Sequence, residues 1–374
     1  MLAPSEVFGR ENLIDAIWQA LAAQSVHLTA ERRVGKTSVI KKMTSEKQPD
    51  LVCEYFDVEA LSSPEELVEK IAQRLVPQFG VKERAKYGFF KVLAEFGGAE
   101  IKDIKIPSLR PHWKRLLGAL IRDFIEDRDQ LLVLCLDEFP WFIDKVEREL
   151  KPPAAMEVLD GLRALRQETP RLRLVLTGSI GFHHILDRLR KHGYANQPLN
   201  DLRIIEVLPL DQASAERLAA GLLEGAAVKT ATGVAAEIAS ITGGFPYFIH
   251  QCVSLAQEQG PIEPGGAALL LQTLFRDPHD RANFRHFRKR LADYYGKQAD
   301  LASLILDAVA RQHHSGRELL NIARHSSSDM NEAEFRDLLE RLQQDHYLAR
   351  NATDRFEFRY SIVARWWHFD RELP

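Results

Sequence analysis

The sequence predicts an α/β fold, a parallel sheet whose strands alternate with helices, ahead of a mainly helical C-terminal half. Three stretches carry that prediction. Residues 26–29 (Val-His-Leu-Thr) start on a β-branched residue and read as a short buried strand. They enter Ala30-Glu31-Arg32-Arg33-Val34-Gly35-Lys36-Thr37, and the helical spacing of Val39, Ile40 and Met43 follows. Residues 131–136 (Leu-Leu-Val-Leu-Cys-Leu) are continuously apolar and end in Asp137-Glu138, as a parallel strand buried on both faces does. Residues 171–177 form another buried strand, ending in Thr177-Gly178-Ser179.

Taken in order, Val7-Phe8-Gly9-Arg10-Glu11 precedes an amphipathic helix with apolar Leu13, Ile14, Ile17, Trp18 and Leu21. Gly9 permits a tight turn, and Phe8 and Arg10 suit packing around a flat base. The same segment equally suits a helix cap with Glu11 at the positive helix end. Residues 51–58 read as the second strand, and Ser62-Ser63-Pro64-Glu65-Glu66 starts a helix with Pro and acids in its first turn. Asp57, at that strand's end, fits a nucleotide contact or, more commonly for this residue, a loop cap. Residues 78–112 break the rhythm: Gly97-Gly98 and the alternating Ile101, Ile104 and Ile106 suggest a hairpin or exposed insertion. A helix carrying Ala155, Met156, Leu159, Leu162 and Leu165 separates the second and third stretches. His183 and His184 fall on the next helix, with no carboxylate or cysteine pattern near them, and read as structural. Residues 203–210 read as the fifth strand, and Asp211 leads into a helix of Ala215, Leu218 and Leu222.

Beyond about residue 211 the pattern is mainly helical. Thr242-Gly243-Gly244-Phe245-Pro246-Tyr247 interrupts two helices with a defined turn. Between 276 and 290, Arg276, Arg281, Arg285, Arg288, Lys289 and Arg290 stand against Asp277 and Asp280. A solvated helix face is the ordinary reading, and an anion or nucleic-acid contact is the alternative. Residues 300–372 read as three helices and a hairpin around Asn351-Ala-Thr-Asp354, a winged-helix pattern. Its third helix carries Glu332, Glu334, Asp337 and Glu340 against Arg336 and Arg341, a poor match for a phosphate-lined major groove. Arg350, Arg355 and Arg359 leave a wing contact with DNA open. The expected domains are 1–210 with an insertion around 78–112, a helical lid over 211–299, and 300–374.

The chemistry concentrates at two places. Strand, loop and helix around Gly35-Lys36-Thr37 form the context of a phosphate-binding loop, in which backbone N–H groups and the helix N-terminus meet negative charge. Lys36 suits the β- and γ-phosphates, and the Thr37 hydroxyl suits Mg²⁺. Ala30 stands where a glycine is usual, so that turn must avoid positive φ. A carboxylate pair on a core strand is costly unless a metal or donors meet it. Asp137 is therefore read as the Mg²⁺ residue and Glu138 as the residue that polarises an attacking water. Thr177 and Ser179 suit sensing of the γ-phosphate.

Composition excludes little but is consistent. The 374 residues are 45% hydrophobic and 28% charged, an ordinary soluble balance with chain enough for two or three domains. A net charge of −3 gives no global attraction to nucleic acid or anionic membranes. Cys53, Cys135 and Cys252 are far apart in sequence, lack metal-ligand spacing and read as buried thiols of a reducing compartment. Neither a signal peptide nor an apolar run near ~18 residues is evident, so the expected location is the cytoplasm, away from membrane.

Together these segments resemble the archaeal-type ATPase family of P-loop proteins, close to the signal-transducing STAND branch and the AAA+ enzymes. The resemblance rests on Phe8-Gly9-Arg10-Glu11, Arg32-Arg33-Val34-Gly35-Lys36-Thr37-Ser38, Leu136-Asp137-Glu138-Phe139, Thr177-Gly178-Ser179 and Gly243-Gly244-Phe245-Pro246-Tyr247, in the family's order. It implies a P-loop NTPase sheet of order 5-1-4-3-2, a helical lid and a winged helix. It also implies that ATP and Mg²⁺ are bound, with the Gly9-Arg10 turn by the adenine, Ala30 and Arg33 to Ser38 around the phosphates, and Pro246 bringing the lid to the nucleotide. Ala30 and Glu31 depart from the family, which more often has Gly and Pro there. Glu31 should point away from phosphate or pair with an arginine. Arg203 is the one arginine that the strand pattern offers as a finger. An ATP-hydrolysing switch that signals to a protein partner or effector, compatible with a homo-oligomer, is the leading expectation. A DNA-associated loader or motor, and a nucleotide-binding scaffold with little turnover, are the alternatives.

Overall fold

A strand buried on both faces sets the architecture. In the computed structural model, which describes residues 6–46, 48–79, 88–95, 112–126, 128, 130–179, 181–326 and 330–373, that strand is Leu131–Asp137. The chain divides into two compact units: Met1–Thr29 with Lys36–Val207, and Ala30–Gly35 with Leu208–Pro374.

The first unit runs α1 (Glu11–Ala23), β1 (Val26–Thr29), α2 (Lys36–Ser45), β2 (Leu51–Asp57), α3 (Pro64–Leu75), α4 (Gly88–Glu95), α5 (Trp113–Glu126), β3 (Leu131–Asp137), α6 (Phe139–Leu150), α7 (Pro152–Glu168), β4 (Leu172–Thr177), α8 (Phe182–Lys191) and β5 (Arg203–Glu206). Its strands are parallel in the order β2-β3-β4-β1-β5, which read from the other edge is the expected 5-1-4-3-2. The period of two sends Leu132, Leu134 and Leu136 to one face, where they join Leu172, Leu174 and Leu176. That face packs on α3 and α5 to α8 through Leu67, Ile71, Trp113, Leu120, Phe142, Leu159 and Ile185. Val133 and Cys135 take the other face, and α1 and α2 pack on β1 and β2. Each fully buried aliphatic side chain contributes about 1.5–3 kcal/mol, so both faces of β3 hold it in the middle of the layers.

Because β4 lies between β1 and β3, the C-terminal ends of all three meet at one sheet edge. Leu28 pairs with Thr177 and Leu136 with Leu176, so the residues after β1, Asp137 and Thr177 all emerge there. Ser63 caps α3 by accepting from the Glu66 N–H at 3.3 Å, while Glu66 reaches back to the Ser62 N–H at 2.7 Å. Asp57 takes the loop-cap role, accepting from the Glu59 N–H at 3.0 Å.

In the second unit α9 (Gln212–Gly225), α10 (Val234–Ile241), α11 (Pro246–Gln259), α12 (Gly266–Arg276) and α13 (His286–Tyr295) precede α14 (Ala299–Arg311), α15 (Gly316–Ser326) and α16 (Glu332–Gln344). An antiparallel hairpin, β6 (Leu348–Arg350) and β7 (Phe356–Phe358), and α17 (Ser361–Asp370) complete it. Asp211 caps α9 through the Ser214 N–H at 2.8 Å. The expected three helices and hairpin are present, and α17 follows them unforeseen, burying Trp366 and Trp367.

Four readings need correction. The fifth strand is 203–206, not 203–210: the Val207 N–H makes a last bond to Thr29 O, and Pro209 lacks the N–H to go on. Within 78–112, residues 88–95 form a helix with Phe89 and Val92 in the core, whereas the Gly97 to Ile106 stretch lies outside the described residues. Residues 139–150 form a helix, α6, that the apolar Phe-Pro-Trp run concealed. Cys53 is only half-buried, and its Sγ lies 3.6 Å from that of Cys135.

The Gly243-Gly244 turn requires glycine for two reasons. Gly244 has φ +73°, and a Cβ there would lie 2.1 Å from Leu210 O, which receives no relief because the Leu210 N–H bonds Gly244 O at 2.9 Å. Gly244→Ala should cost roughly 2–4 kcal/mol in denaturant unfolding, while Gly221→Ala, with open space around it, should be neutral or stabilise by up to about 1 kcal/mol. Equal effects of the two would contradict the close approach.

Candidate functional site

The first unit brings a hydroxyl and two carboxylates to the edge where β1, β3 and β4 end. Thr37, in the first turn of α2, donates from Oγ1 to Asp137 Oδ2 at 2.7 Å. Tyr55, from β2, donates to the same oxygen at 3.1 Å, and the Glu138 N–H donates to Oδ1 at 3.1 Å. Asp137 is 3% exposed, so these donors answer a charge that the core would otherwise reject. A hydroxyl and a carboxylate held this close are hard oxygen donors of the kind that suit Mg²⁺, so the residues present fit that ion. Lys36 starts α2 with its side chain buried, and Ser38 follows in the same turn.

Glu138 is held apart from Asp137 by its backbone. Its φ is +56°, in the left-handed region, which turns the chain sharply from β3 into α6. Its Oε2 accepts from both the Ser179 N–H and Oγ at 2.9 Å, and Ser179 Oγ accepts from Trp141 Nε1 at 3.0 Å. Burial pushes the Glu138 carboxyl up, Ser179 and Lys36 oppose that, Asp137 adds to it, and the net direction is upward. A raised carboxylate is a better proton acceptor near neutral pH. Gly178 lets this pair form, because a Cβ there would lie 2.4 Å from Pro140 Cδ.

Of the other expected residues, Thr177 is fully buried at the end of β4, and Ser179 rather than Thr177 bonds Glu138. Gly9 has φ +68°, giving the expected tight turn, and buried Arg10 sits just before α1. Lys42 of α2 ties the Phe8-Gly9-Arg10 segment to that helix through Val7 O at 2.5 Å and Glu11 at 3.4 Å. Arg203 opens β5 opposite Val26, the far end of β1 from the loop. Tyr55 escaped the sequence reading. The signal was its place two residues before Asp57, on a strand paired with β3.

Ala30 to Gly35 belong to the second unit. Ala30 avoids positive φ, and the left-handed residues of the loop are Arg33 (+69°) and Gly35 (+102°). The Arg33 guanidinium donates to the carbonyls of Ala282 and Asn283 and lies 4.2 Å from the centre of the Tyr247 ring. Val34 is buried. Glu31 does have an arginine partner: Arg290 Nη1 donates to its Oε1 at 2.6 Å. Pro246 occupies the first turn of α11, just past the Gly243-Gly244 turn.

Residues 20–186 match the AAA domain family. The chain has the fold of a P-loop NTPase. Its whole fold is similar to that of the Walker-type ATPase PABY2304 of Pyrococcus abyssi, with a TM-score of 0.67 at 16% identity over 97% of each chain. It is also similar to the ORC2 protein of Aeropyrum pernix in ADPNP–ADP complexes, with a TM-score of 0.54 at 13% identity over 100% of this chain and 95% of the other. At such identities the likeness is one of fold. No curated protein matches by sequence. The domain match and the likeness of fold agree with the resemblance read from the motifs.

Behind the loop, burial first and then the charges of Lys36 and His183 hold the part-buried His27 of β1 down to about 4. The fold therefore keeps His27 neutral, whereas the unfolded chain takes a proton near 6.5. Stability from that difference is complete above pH 6.5 and is lost as pH falls toward 4, by roughly 2 kcal/mol after allowing for partial exposure. His27→Gln should flatten the stability profile across that window in denaturant titrations. An unchanged profile would contradict the neutral buried ring.

Proposed function

We propose that the chain is a Mg²⁺-dependent ATP-binding and ATP-hydrolysing switch. The observation that carries this reading is the Thr37–Asp137–Glu138–Ser179 arrangement: two oxygens placed for a hard cation, beside a separate carboxylate with a raised pKa. Lys36 pairs with the β- and γ-phosphates, and the backbone of Ala30, Arg33, Val34, Gly35 and Ser38 surrounds them. Phe8, Gly9 and Arg10 flank the base. Thr37 and Asp137 hold Mg²⁺, which when bound neutralises phosphate charge. Glu138, oriented by Ser179, takes a proton from the attacking water, and Thr177 supports the strand end from which Ser179 follows. The domains of this reading are the ATPase domain over 1–210, a lid over 211–299 that Pro246 links to nucleotide state, and a winged helix over 300–374 that reports the state to a protein partner.

Within the basic run of 276–290, Arg281 pairs with Glu258 and Asp277, Arg288 with Asp370, and Arg290 with Glu31. Those pairs offset three of the run's six cations locally, which supports the switch over a loader or motor. No helix among the described residues is long and apolar enough to cross a membrane, in keeping with action in the cytoplasm.

The two carboxylates separate in a direct test. Asp137→Ala should impair Mg²⁺-dependent ATP binding and hydrolysis together. Glu138→Gln keeps shape but loses basicity, so ATP binding should persist while phosphate release falls roughly 100-fold or more. If the wild type hydrolyses ATP and Glu138→Gln does so equally fast, Glu138 is not the base. Absence of any wild-type turnover would leave the scaffold alternative in its place.

A further inference from the structure

The second position of the phosphate loop is an acid, which a polyphosphate site should reject. Glu31 is 2% exposed and its carboxylate is already committed: Oε1 accepts from Arg290 at 2.6 Å and from the Arg32 N–H at 2.8 Å. Arg290, on α13, is itself buried. Its Nη2 donates to Asp345 O at 2.7 Å, it lies 3.7 Å from the Asp345 carboxylate, and its guanidinium sits 4.9 Å from the centre of the Tyr347 ring. Tyr295 donates to Asp345 Oδ2 at 2.6 Å, and Tyr347 donates to Phe287 O, so both groups that face Arg290 are fixed in turn. His286 Nε2 lies 4.0 Å from Glu31 Oε1 and its Nδ1 bonds Asn283 O at 2.6 Å. Burial alone would raise the Glu31 carboxyl, yet Arg290, His286 and His346 hold it down to about 2. The loop thus carries a full negative charge whose compensation lies 259 residues away in sequence.

We propose that Arg290 is a positioning residue of the nucleotide site, cancelling the Glu31 charge inside the phosphate loop and holding that carboxylate off the phosphates. The proposal rests on the ATP reading above and deepens it. It makes loop competence depend on where α13 and the α16–β6 turn stand, because those elements supply Arg290 and Asp345. A buried ion pair deprived of one partner leaves an uncompensated charge, whereas removal of both is tolerated.

The test is calorimetric titration of ATP with Mg²⁺ into the full chain and its variants, each checked for folding by thermal melting. Arg290→Met should weaken affinity about tenfold or more, because the Glu31 charge then lacks its cationic partner. Glu31→Gln should stay within about threefold of wild type, and the double variant should return to that level. Wild-type affinity in Arg290→Met, or a folded double variant that does not bind, overturns the proposal. Should Arg290→Met not fold, the double variant and Glu31→Gln still decide it. A wild type that takes up no ATP refutes the nucleotide reading itself, which is a different failure.

Discussion

A carboxylate at the end of a strand buried on both faces has to be answered by donors, and the answer given to Asp137 organises the first unit. Thr37, Tyr55 and the Glu138 N–H come from three different segments, and each bonds an Asp137 oxygen. Sheet order makes this possible. With β4 between β1 and β3, the helix that follows the loop and the end of β3 are brought to one edge. Had β3 been an edge strand, water would have met the charge and no such convergence would be required. The left-handed turn at Glu138 then separates the second acid from the first, so one carboxylate stays beside Thr37 while the other turns to Ser179.

Much of this was legible in the sequence because the signals are local. The run Leu131 to Leu136 declared a doubly buried strand, Val39, Ile40 and Met43 a helix, and Gly243-Gly244 a turn that only glycine fits at position 244. Ala30 was legible as a constraint on φ but not as its solution. The chain places its left-handed residues at Arg33 and Gly35 instead, and no spacing rule specifies that. Tyr55 was hidden because a tyrosine on a half-buried strand is ordinary packing until the register with β3 is known. Helix α6 was hidden because Phe139, Pro140 and Trp141 prolong the apolar run of the strand before them, although Pro in a first turn is a helix signal.

The pairing of Glu31 lay furthest from reach. Sequence alone required an arginine or an outward-turned side chain, and the basic run that holds Arg290 read as a solvated face or an anion contact. Arg290 is neither: it is buried between Glu31, Asp345 and Tyr347. Arg281 and Arg288, by contrast, are half-exposed and pair with Glu258 and Asp370, as the surface reading allowed. Long-range ion pairs leave no periodicity behind, so charge composition cannot distinguish the two fates.

The central claim is that the loop and the start of α2 hold the phosphates of ATP. Its most direct test is the Lys36→Ala variant, titrated with ATP and Mg²⁺ by calorimetry beside the wild type. Loss of the cation that pairs with the β- and γ-phosphates should weaken binding by roughly two orders of magnitude while the thermal melt of the free protein stays close to wild type. Unchanged affinity in a folded Lys36→Ala protein would contradict the phosphate-loop assignment and the function built on it.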